Sequence, residues 1–337
     1  MKNFKSFTLE GLKNFFASIG EEDFRGEQVF EWIWKKGINN ISNMTNLSKI
    51  LREKLNNDFF ISQLKTLDRK ISMDGSQKFL FGLEDGESIE SMFIPIDDRK
   101  TICISTQVGC GMGCKFCATG MMGFIRNLKF YEIVDQVLQI QKLTGERITN
   151  VVLMGMGEPM LNLDEVLRAL EIINKYIGIG ARKITVSTVG VVPGIKKIAS
   201  IPCQYKLAIS LNFPTDEERT RMMPVNSKYP INALIDAANQ YYKMKGLRVT
   251  FEYILFRGLN DSEEHAIKLA KIARSVPSKI NIIPFNPVKG IDFKAPSEGD
   301  VDRFLKILYP LAPVVTVRWS KGSDISGACG QLRSRSA

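Results

Sequence analysis

The sequence predicts an α/β fold built on a parallel sheet, and three observations carry that reading. From residue 100 onwards, short apolar runs alternate with amphipathic helical stretches, the pattern of repeated strand–helix units. The first 75 residues lack that alternation and read as helical. Residues 320–337 contain little apolar matter and read as a mobile tail. Six strand–helix units make a partial barrel, and a doubly wound open sheet gives a similar string; in either, ligands gather at the C-terminal ends of the strands.

Taken in order, residues 22–36 carry Phe24, Val29, Phe30, Ile33 and Trp34 at near-helical spacing, with Gly37 as a stop. Leu47, Ile50, Leu51, Leu55 and Phe59 repeat the pattern. A small helical bundle over 1–75 follows, its aromatics read as core rather than as nucleic-acid stackers. Between 77 and 95 the period falls towards two, as in Lys78-Phe79-Leu80-Phe81, and Asp85-Gly86 suits a hairpin turn. This predicts a β-hairpin connector over 76–99, with Glu90 on its second strand. In the main domain, 100–319, strands are expected at 101–108, 150–156, 183–188, 205–211, 247–255, 279–285 and 314–319. Helices are expected at 130–144, 163–176, 231–244, 262–276 and 299–309. The tail, 320–337, sets Cys329 between two close glycines, so its thiol is expected to enter and leave a pocket.

At 337 residues, the chain is long enough for one large barrel or two domains. Its 44% hydrophobic and 24% charged residues fit a soluble globular protein and exclude disorder. A net charge of +10 suits a polyanionic partner, nucleic acid or an anionic membrane surface. Six cysteines in this length do not make a disulfide scaffold. The opening Met1-Lys-Asn-Phe-Lys-Ser-Phe-Thr lacks the apolar region of a signal peptide, and no run approaches the roughly 18 apolar residues of a membrane span. The cytoplasm is the expected location.

Half of the cysteines fall in Cys110-Gly-Met-Gly-Cys114-Lys-Phe-Cys117. A glycine-bearing loop can curl so that three thiols face one centre, and such thiolates bind zinc or an iron–sulfur cluster. A four-iron cube normally takes four cysteines, so three leave one iron free for a small chelating ligand. A closed zinc site would need a fourth ligand from Cys103, Cys329 or the single histidine, His265. At later strand ends stand Gly155-Met-Gly157-Glu158-Pro159, Ser187, Ser210-Leu211-Asn212 and Asn286. The glycines permit close approach of a ligand and Glu158 can take an ammonium group; each of the others alone is a weak signal. Gly178-Ile-Gly180 precedes a strand and lacks the third glycine of a dinucleotide fingerprint. There is no Walker A sequence, and one histidine in a helical run argues against a serine–histidine hydrolase. Cys103, mid-strand, reads by itself as a small buried hydrophobe, and Cys203 as incidental.

The spacing C-x₃-C-x₂-C in this setting resembles that of the radical S-adenosylmethionine enzymes. The longer run CISTQVGCGMGCKFCATGMMGFIRNL, with DISGACGQL near the end, resembles the RlmN-type RNA methyltransferases over nearly the whole chain. The resemblance implies a partial (βα)6 TIM-like radical-SAM barrel with an N-terminal helical accessory domain. It implies a [4Fe-4S] cluster on Cys110, Cys114 and Cys117, whose open iron chelates S-adenosylmethionine. By position, Gly157, Glu158, Ser187, Ser210, Leu211, Asn212 and Asn286 match the contacts to that cofactor; the family often has His where Asn212 stands. Cys329 resembles the cysteine that takes a methyl group from one S-adenosylmethionine. A second, cleaved at the cluster, yields a 5′-deoxyadenosyl radical that removes hydrogen from that methyl, and the resulting carbon radical adds to C2 of an RNA adenine. Cys103 resembles the thiol that resolves the adduct through a transient disulfide with Cys329, and Glu90 matches the proton acceptor.

A radical route makes chemical sense, because adenine C2 is an electron-poor amidine carbon that cannot attack a sulfonium methyl directly. Tethering through Cys329 adds proximity, and an adenine in folded RNA must be turned out of its stack to be reached. The substrates implied are 23S rRNA at the peptidyl transferase centre and tRNA at the adenine 3′ of the anticodon. A low-potential donor such as flavodoxin or ferredoxin, a monomeric state and no membrane association complete the implied picture. Gly157-Glu158-Pro159 and GMMGFIRNL favour the C2 enzymes over the related Cfr-type C8 methyltransferases. Two readings from other classes are a zinc-stapled RNA-binding protein and a cluster enzyme acting on a small molecule.

Overall fold

The structure, a computed structural model, describes residues 1–333. The N-terminal unit contains α1 (Leu9–Ser18), α2 (Phe24–Trp34) and α3 (Lys49–Asp58), tied by a short parallel pair, β1 (Lys2–Asn3) with β2 (Phe59–Phe60). Thr8 and Ser48 cap α1 and α3, their hydroxyls accepting from Gly11 N at 3.0 Å and Leu51 N at 3.2 Å. Val29, Phe30, Ile33 and Trp34 are buried as their spacing predicts, and Phe4 stacks on Phe59 with centroids 4.3 Å apart. Phe24 and Ile50 are exposed instead. The unit docks on the barrel through a buried ion pair, Lys5 Nζ to Asp135 Oδ1 at 2.5 Å, and an edge-on contact of Phe30 with Tyr176.

The segment read as helical to residue 75 ends in a strand, β3 (Lys65–Ile71). All seven residues of β3 are exposed and several are charged, so it buries no face and leaves no period in the sequence. The expected two-stranded hairpin is therefore the middle of an antiparallel meander: β3, β4 (Gln77–Gly82), β5 (Ser88–Ile96) and β6 (Arg99–Cys103). The strand expected over 101–108 stops at Cys103. Beyond it the chain leaves the sheet, and β7 (Gln107–Gly109) pairs with β8 (Phe124–Asn127), framing the cysteine loop and the short α4 (Ala118–Met121).

From β6 the sheet runs parallel. It takes in β9 (Asn150–Leu153), β10 (Ile184–Thr188), β11 (Lys206–Ser210), β12 (Val249–Leu255), β13 (Ser278–Pro284) and β14 (Val315–Val317). Between them lie α5 (Phe130–Thr144), α6 (Leu163–Lys175), α7 (Val192–Ser200), α8 (Asp216–Met222), α9 (Ile231–Lys245), α10 (Glu263–Arg274) and α11 (Glu298–Leu308). The spatial order follows the chain order without reversal from β3 to β14. A doubly wound sheet reverses at a switch point; crossovers of one hand and one direction put every helix on the same face, so the sheet curls into an open, partial barrel. Two of these helices were not foreseen. In α7 Pro193 suits the first helical turn, and a Cβ on Gly194 would come 2.5 Å from Met160 Cβ. The short α8, DEERTRM, is too polar to show a stripe.

Candidate active site

Three backbone contacts shape the cysteine loop: Cys110 N donates to Gly123 O (2.7 Å), Lys115 N to Met222 O (3.1 Å) and Cys117 N to Cys114 O (3.2 Å). Gly109 precedes it at φ +71°, where a Cβ would strike Gly123 O. Behind Cys114, the rings of Phe116, Phe213, Phe256 and Phe285 form a small apolar cluster. Burial there pushes the Cys110 thiol up to about 12 and raises Cys114 and Cys117, with repulsion between the thiols adding to it. Thiols so placed ionise when a positive centre takes the proton's place.

The three cysteines open on a cleft of about 150 Å³ at the C-terminal ends of the barrel strands. Glycine floors one side. A Cβ on Gly155 would lie 2.7 Å from Ile104 O, and one on Gly157, at φ +97°, 2.5 Å from Gln107 Cβ. Glu158 is buried; its N–H donates to Gln107 Oε1 at 2.8 Å, and its carboxylate accepts from Met160 N at 3.0 Å and Val189 N at 2.9 Å. Burial still pushes its carboxyl up to about 7.

Ser187 and Ser210 line the same cleft. Asn212 lines it too, at φ +57°, with its Oδ1 accepting from Ile254 N at 3.0 Å; asparagine tolerates that left-handed backbone better than most residues. Leu211 is elsewhere, its side chain in the main core. Asn286 is not among the cleft-lining residues and reaches the tail beside it, donating to Ser320 Oγ at 2.9 Å and Cys329 O at 3.2 Å.

Two residues of the site were missed from sequence. Glu252 on β12 is buried and faces the cleft, its carboxyl raised by burial; an acid inside the apolar run VTFEYIL was the available signal. Arg219, on α8, is fully buried and donates to Leu211 O (3.1 Å), Ser210 O (3.3 Å), Val189 O (2.5 Å) and Asn226 Oδ1 (2.7 Å). It staples the ends of β10 and β11 that form the cleft wall, and burial lowers its pKa to about 10.

The tail is seated against this mouth through residue 333; residues 334–337 of the expected mobile segment lie outside the described residues. Ala118 N donates to Gly330 O at 2.8 Å, Thr119 Oγ1 to Leu332 O at 2.6 Å and Arg333 N to Glu90 Oε2 at 2.8 Å. Cys329 borders the cleft on one side and, on the other, a small cavity that it shares with Cys103. Both are free thiols, so the disulfide implied by resemblance is not formed in this structure. Glu90 also pairs with Lys78 Nζ at 2.9 Å, yet burial raises its carboxyl. It lies on a second, larger basin with Lys70, Lys289, Arg333, Met121 and Ile125.

The donor set, three thiols from one loop, fits an iron–sulfur cluster. Three thiols share a cleft, while among the described residues no three His, Cys, Asp or Glu side chains converge tightly enough for a single metal ion. His265 is engaged with Ser262 Oγ at 2.6 Å and Glu218 Oε1 at 2.8 Å, outside the cleft.

Residues 2–61 match the family described as Ribosomal RNA large subunit methyltransferase N-terminal domain, and residues 104–270 match the Radical SAM superfamily. A probable dual-specificity RNA methyltransferase RlmN of Clostridium novyi is 45% identical over 336 residues, 99% of this chain and 98% of that protein. The dual-specificity RNA methyltransferase RlmN of Syntrophotalea carbinolica is 47% identical, over 98% of this chain and 89% of its own. The crystal structure of a radical SAM methyltransferase from Sphaerobacter thermophilus superposes with a TM-score of 0.93 at 41% identity, covering 99% of both chains. The superfamily brings with it a [4Fe-4S] cluster and S-adenosylmethionine. Similar over almost its full length, with the loop cysteines and the tail cysteine meeting at one cleft, this chain belongs to the RlmN family of radical S-adenosylmethionine methyltransferases.

Proposed function

We propose that the chain methylates C2 of an adenine in 23S rRNA, and of the adenine 3′ of the anticodon in tRNA, with Cys329 as the intermediate methyl carrier. One observation carries this reading: Cys329 stands where the thiol-lined cleft meets the tail segment that walls the Glu90 basin, since Gln331 and Arg333 line that basin. When bound, the cluster on Cys110, Cys114 and Cys117 and the S-adenosylmethionine beside it supply the methyl group and the one-electron chemistry. Gly157 admits the cofactor closely, Glu158 takes its ammonium group, and Ser187 and Ser210 offer hydroxyls from the opposite wall. Arg219 holds that wall in place.

Glu90, buried and raised, is suited to accept the proton lost from the methylated carbon. Cys103 lines the same small cavity as Cys329 and is suited to attack its sulfur, forming the transient disulfide as the carbon–sulfur bond of the adduct breaks. Lys70, Lys289 and Arg333 give the basin a basic rim for phosphates, and Met121 and Ile125 an apolar lip against which a base turned out of its stack can rest. The net charge of +10 agrees with an RNA partner. The reductant is a low-potential donor of the flavodoxin or ferredoxin kind. Among the described residues no helix is long and apolar enough to cross a membrane; action in the cytoplasm follows from the proposed rRNA and tRNA substrates. Mass spectrometry of digested 23S rRNA and tRNA after anaerobic turnover tests the reading. The expected product is 2-methyladenosine, lost in Cys329→Ala; 8-methyladenosine, or turnover indifferent to Cys329, overturns it.

A further inference from the structure

Cys329 is the second residue of a turn over 328–331, closed by Gln331 N donating to Ala328 O at 3.0 Å. Gly330 follows it at φ +83°, the left-handed value that a type II turn demands of its third residue. The side chain of Gln331 closes the same turn from the other direction. Its Oε1 accepts from Ala328 N at 3.1 Å, while its Nε2 donates to Pro287 O at 2.8 Å, in the loop after β13. Asn286, next to Pro287, holds Cys329 O, and Ala118 N holds Gly330 O. The backbone on both sides of Cys329 is thus tied down, which leaves its sulfur rotation about the Cα–Cβ bond. From this one turn Cys329 borders both the cleft and the Cys103 cavity.

We propose that Gln331 is the positioning residue of the methyl carrier: its carboxamide closes the turn and pins it to the barrel, so that Cys329 is presented at one fixed place. Only a side chain with both a donor and an acceptor makes the two contacts at once; leucine makes neither, and a carboxylate accepts but does not donate. Gln331 also lines the Glu90 basin, so it holds the turn from the side on which RNA enters. Transfer of a methyl group to sulfur needs the sulfur in line with the breaking bond, and a misplacement of about 1 Å costs about a hundredfold. Gln331 has no part in the bond changes themselves and acts through Cys329. The inference rests on the reading of Cys329 as the carrier, and one arm of its test needs no turnover.

The test compares native protein with Gln331→Leu and Gln331→Glu, each cluster-loaded and anaerobic. Hydrogen exchange reads the turn itself: in Gln331→Leu the amides around Cys329 should exchange at least about fivefold faster, with the barrel strands unchanged. Incubation with S-adenosylmethionine in the absence of RNA, followed by mass spectrometry of the tail peptide, reads methyl transfer. The Cys329 sulfur gains the sulfonium methyl, S-adenosylhomocysteine leaves and the thiol proton passes to solvent. In Gln331→Leu that rate is expected to fall about tenfold. With RNA present the loss should appear in kcat, KM for RNA staying within about twofold of native. Gln331→Glu, which keeps the acceptor for Ala328 N, should fall between the two. Unchanged exchange or an unchanged methylation rate in Gln331→Leu, a loss confined to KM, or a Gln331→Glu protein no faster than Gln331→Leu overturns the proposal. Native protein whose Cys329 takes no methyl overturns the carrier reading, and the proposal with it.

Discussion

The N–H of Ala118, the residue after the third loop cysteine, donates at 2.8 Å to the carbonyl of Gly330, the residue after Cys329. One backbone bond thus fixes the tail thiol against the loop meant for the cluster, across more than two hundred residues of intervening chain. Thr119 Oγ1 to Leu332 O, at 2.6 Å, extends the clamp by a second bond.

Replacing Thr119 with Val removes that second bond while keeping the shape. The tail amides around Cys329 should lose about fivefold in hydrogen-exchange protection, in line with a bond worth about 1 kcal/mol. Exchange in the barrel strands should stay unchanged.

Gly157→Ala meets two obstacles at once, a φ of +97° and a Cβ 2.5 Å from Gln107 Cβ. Strain of roughly 1–3 kcal/mol and a narrowed cleft should follow. Isothermal titration with S-adenosylmethionine should show at least a tenfold loss of affinity, against a small drop in melting temperature.

Serine at Cys110, Cys114 or Cys117 should abolish the brown colour and reduce iron from roughly four per chain towards none. The loop itself is held by backbone bonds, so circular dichroism should stay native. Cys329→Ala should keep its iron. Iron retained in all three serine variants would remove the cluster from this loop.

Glu158 has a sign that can be checked. Its carboxyl is raised from 4.5 to about 7 by burial, so between those values the folded protein holds a proton that the unfolded chain has released. Its contribution is complete below about pH 4.5 and is lost as pH rises through 7. At roughly 1.4 kcal/mol per unit, this amounts to about 3 kcal/mol. Urea unfolding of cluster-free protein from pH 4.5 to 8 should show that decline, and Glu158→Gln should flatten it. Asp135, Glu90 and Glu252 are raised in the same direction, so the difference between the two proteins isolates Glu158.

Lys5→Met leaves the buried Asp135 without its cation and takes the ammonium from over the Trp34 ring. The expected cost is about 3–5 kcal/mol in chemical unfolding. Pairing it with Asp135→Leu should recover most of the loss, because the uncompensated charge is then gone.

Much of the barrel was legible because its signal is local. The runs that became β10, β12 and β13 set Ile184 and Val186, Val249, Phe251, Tyr253 and Leu255, and Ile280 and Ile282 at every second position, the period of a strand with a buried face, and the stripes of α5, α6 and α10 repeat at helical spacing. Where burial does not mark the chain, the reading failed: β3 exposes every residue, and α8 is short and polar.

The site divides in the same way. Residue type and spacing alone determined the three-thiol loop, the glycines before Glu158 and the isolated tail cysteine, since thiolate chemistry and close backbone approach need those residues wherever the chain goes. Only the tertiary structure decided that Leu211 sits in the core, that Asn286 holds the tail, that Glu252 lines the cleft and that Arg219 braces its wall. Those residues come from strands and loops far apart in sequence, and the curl of an open sheet, which no local period records, sets which of their side chains meet.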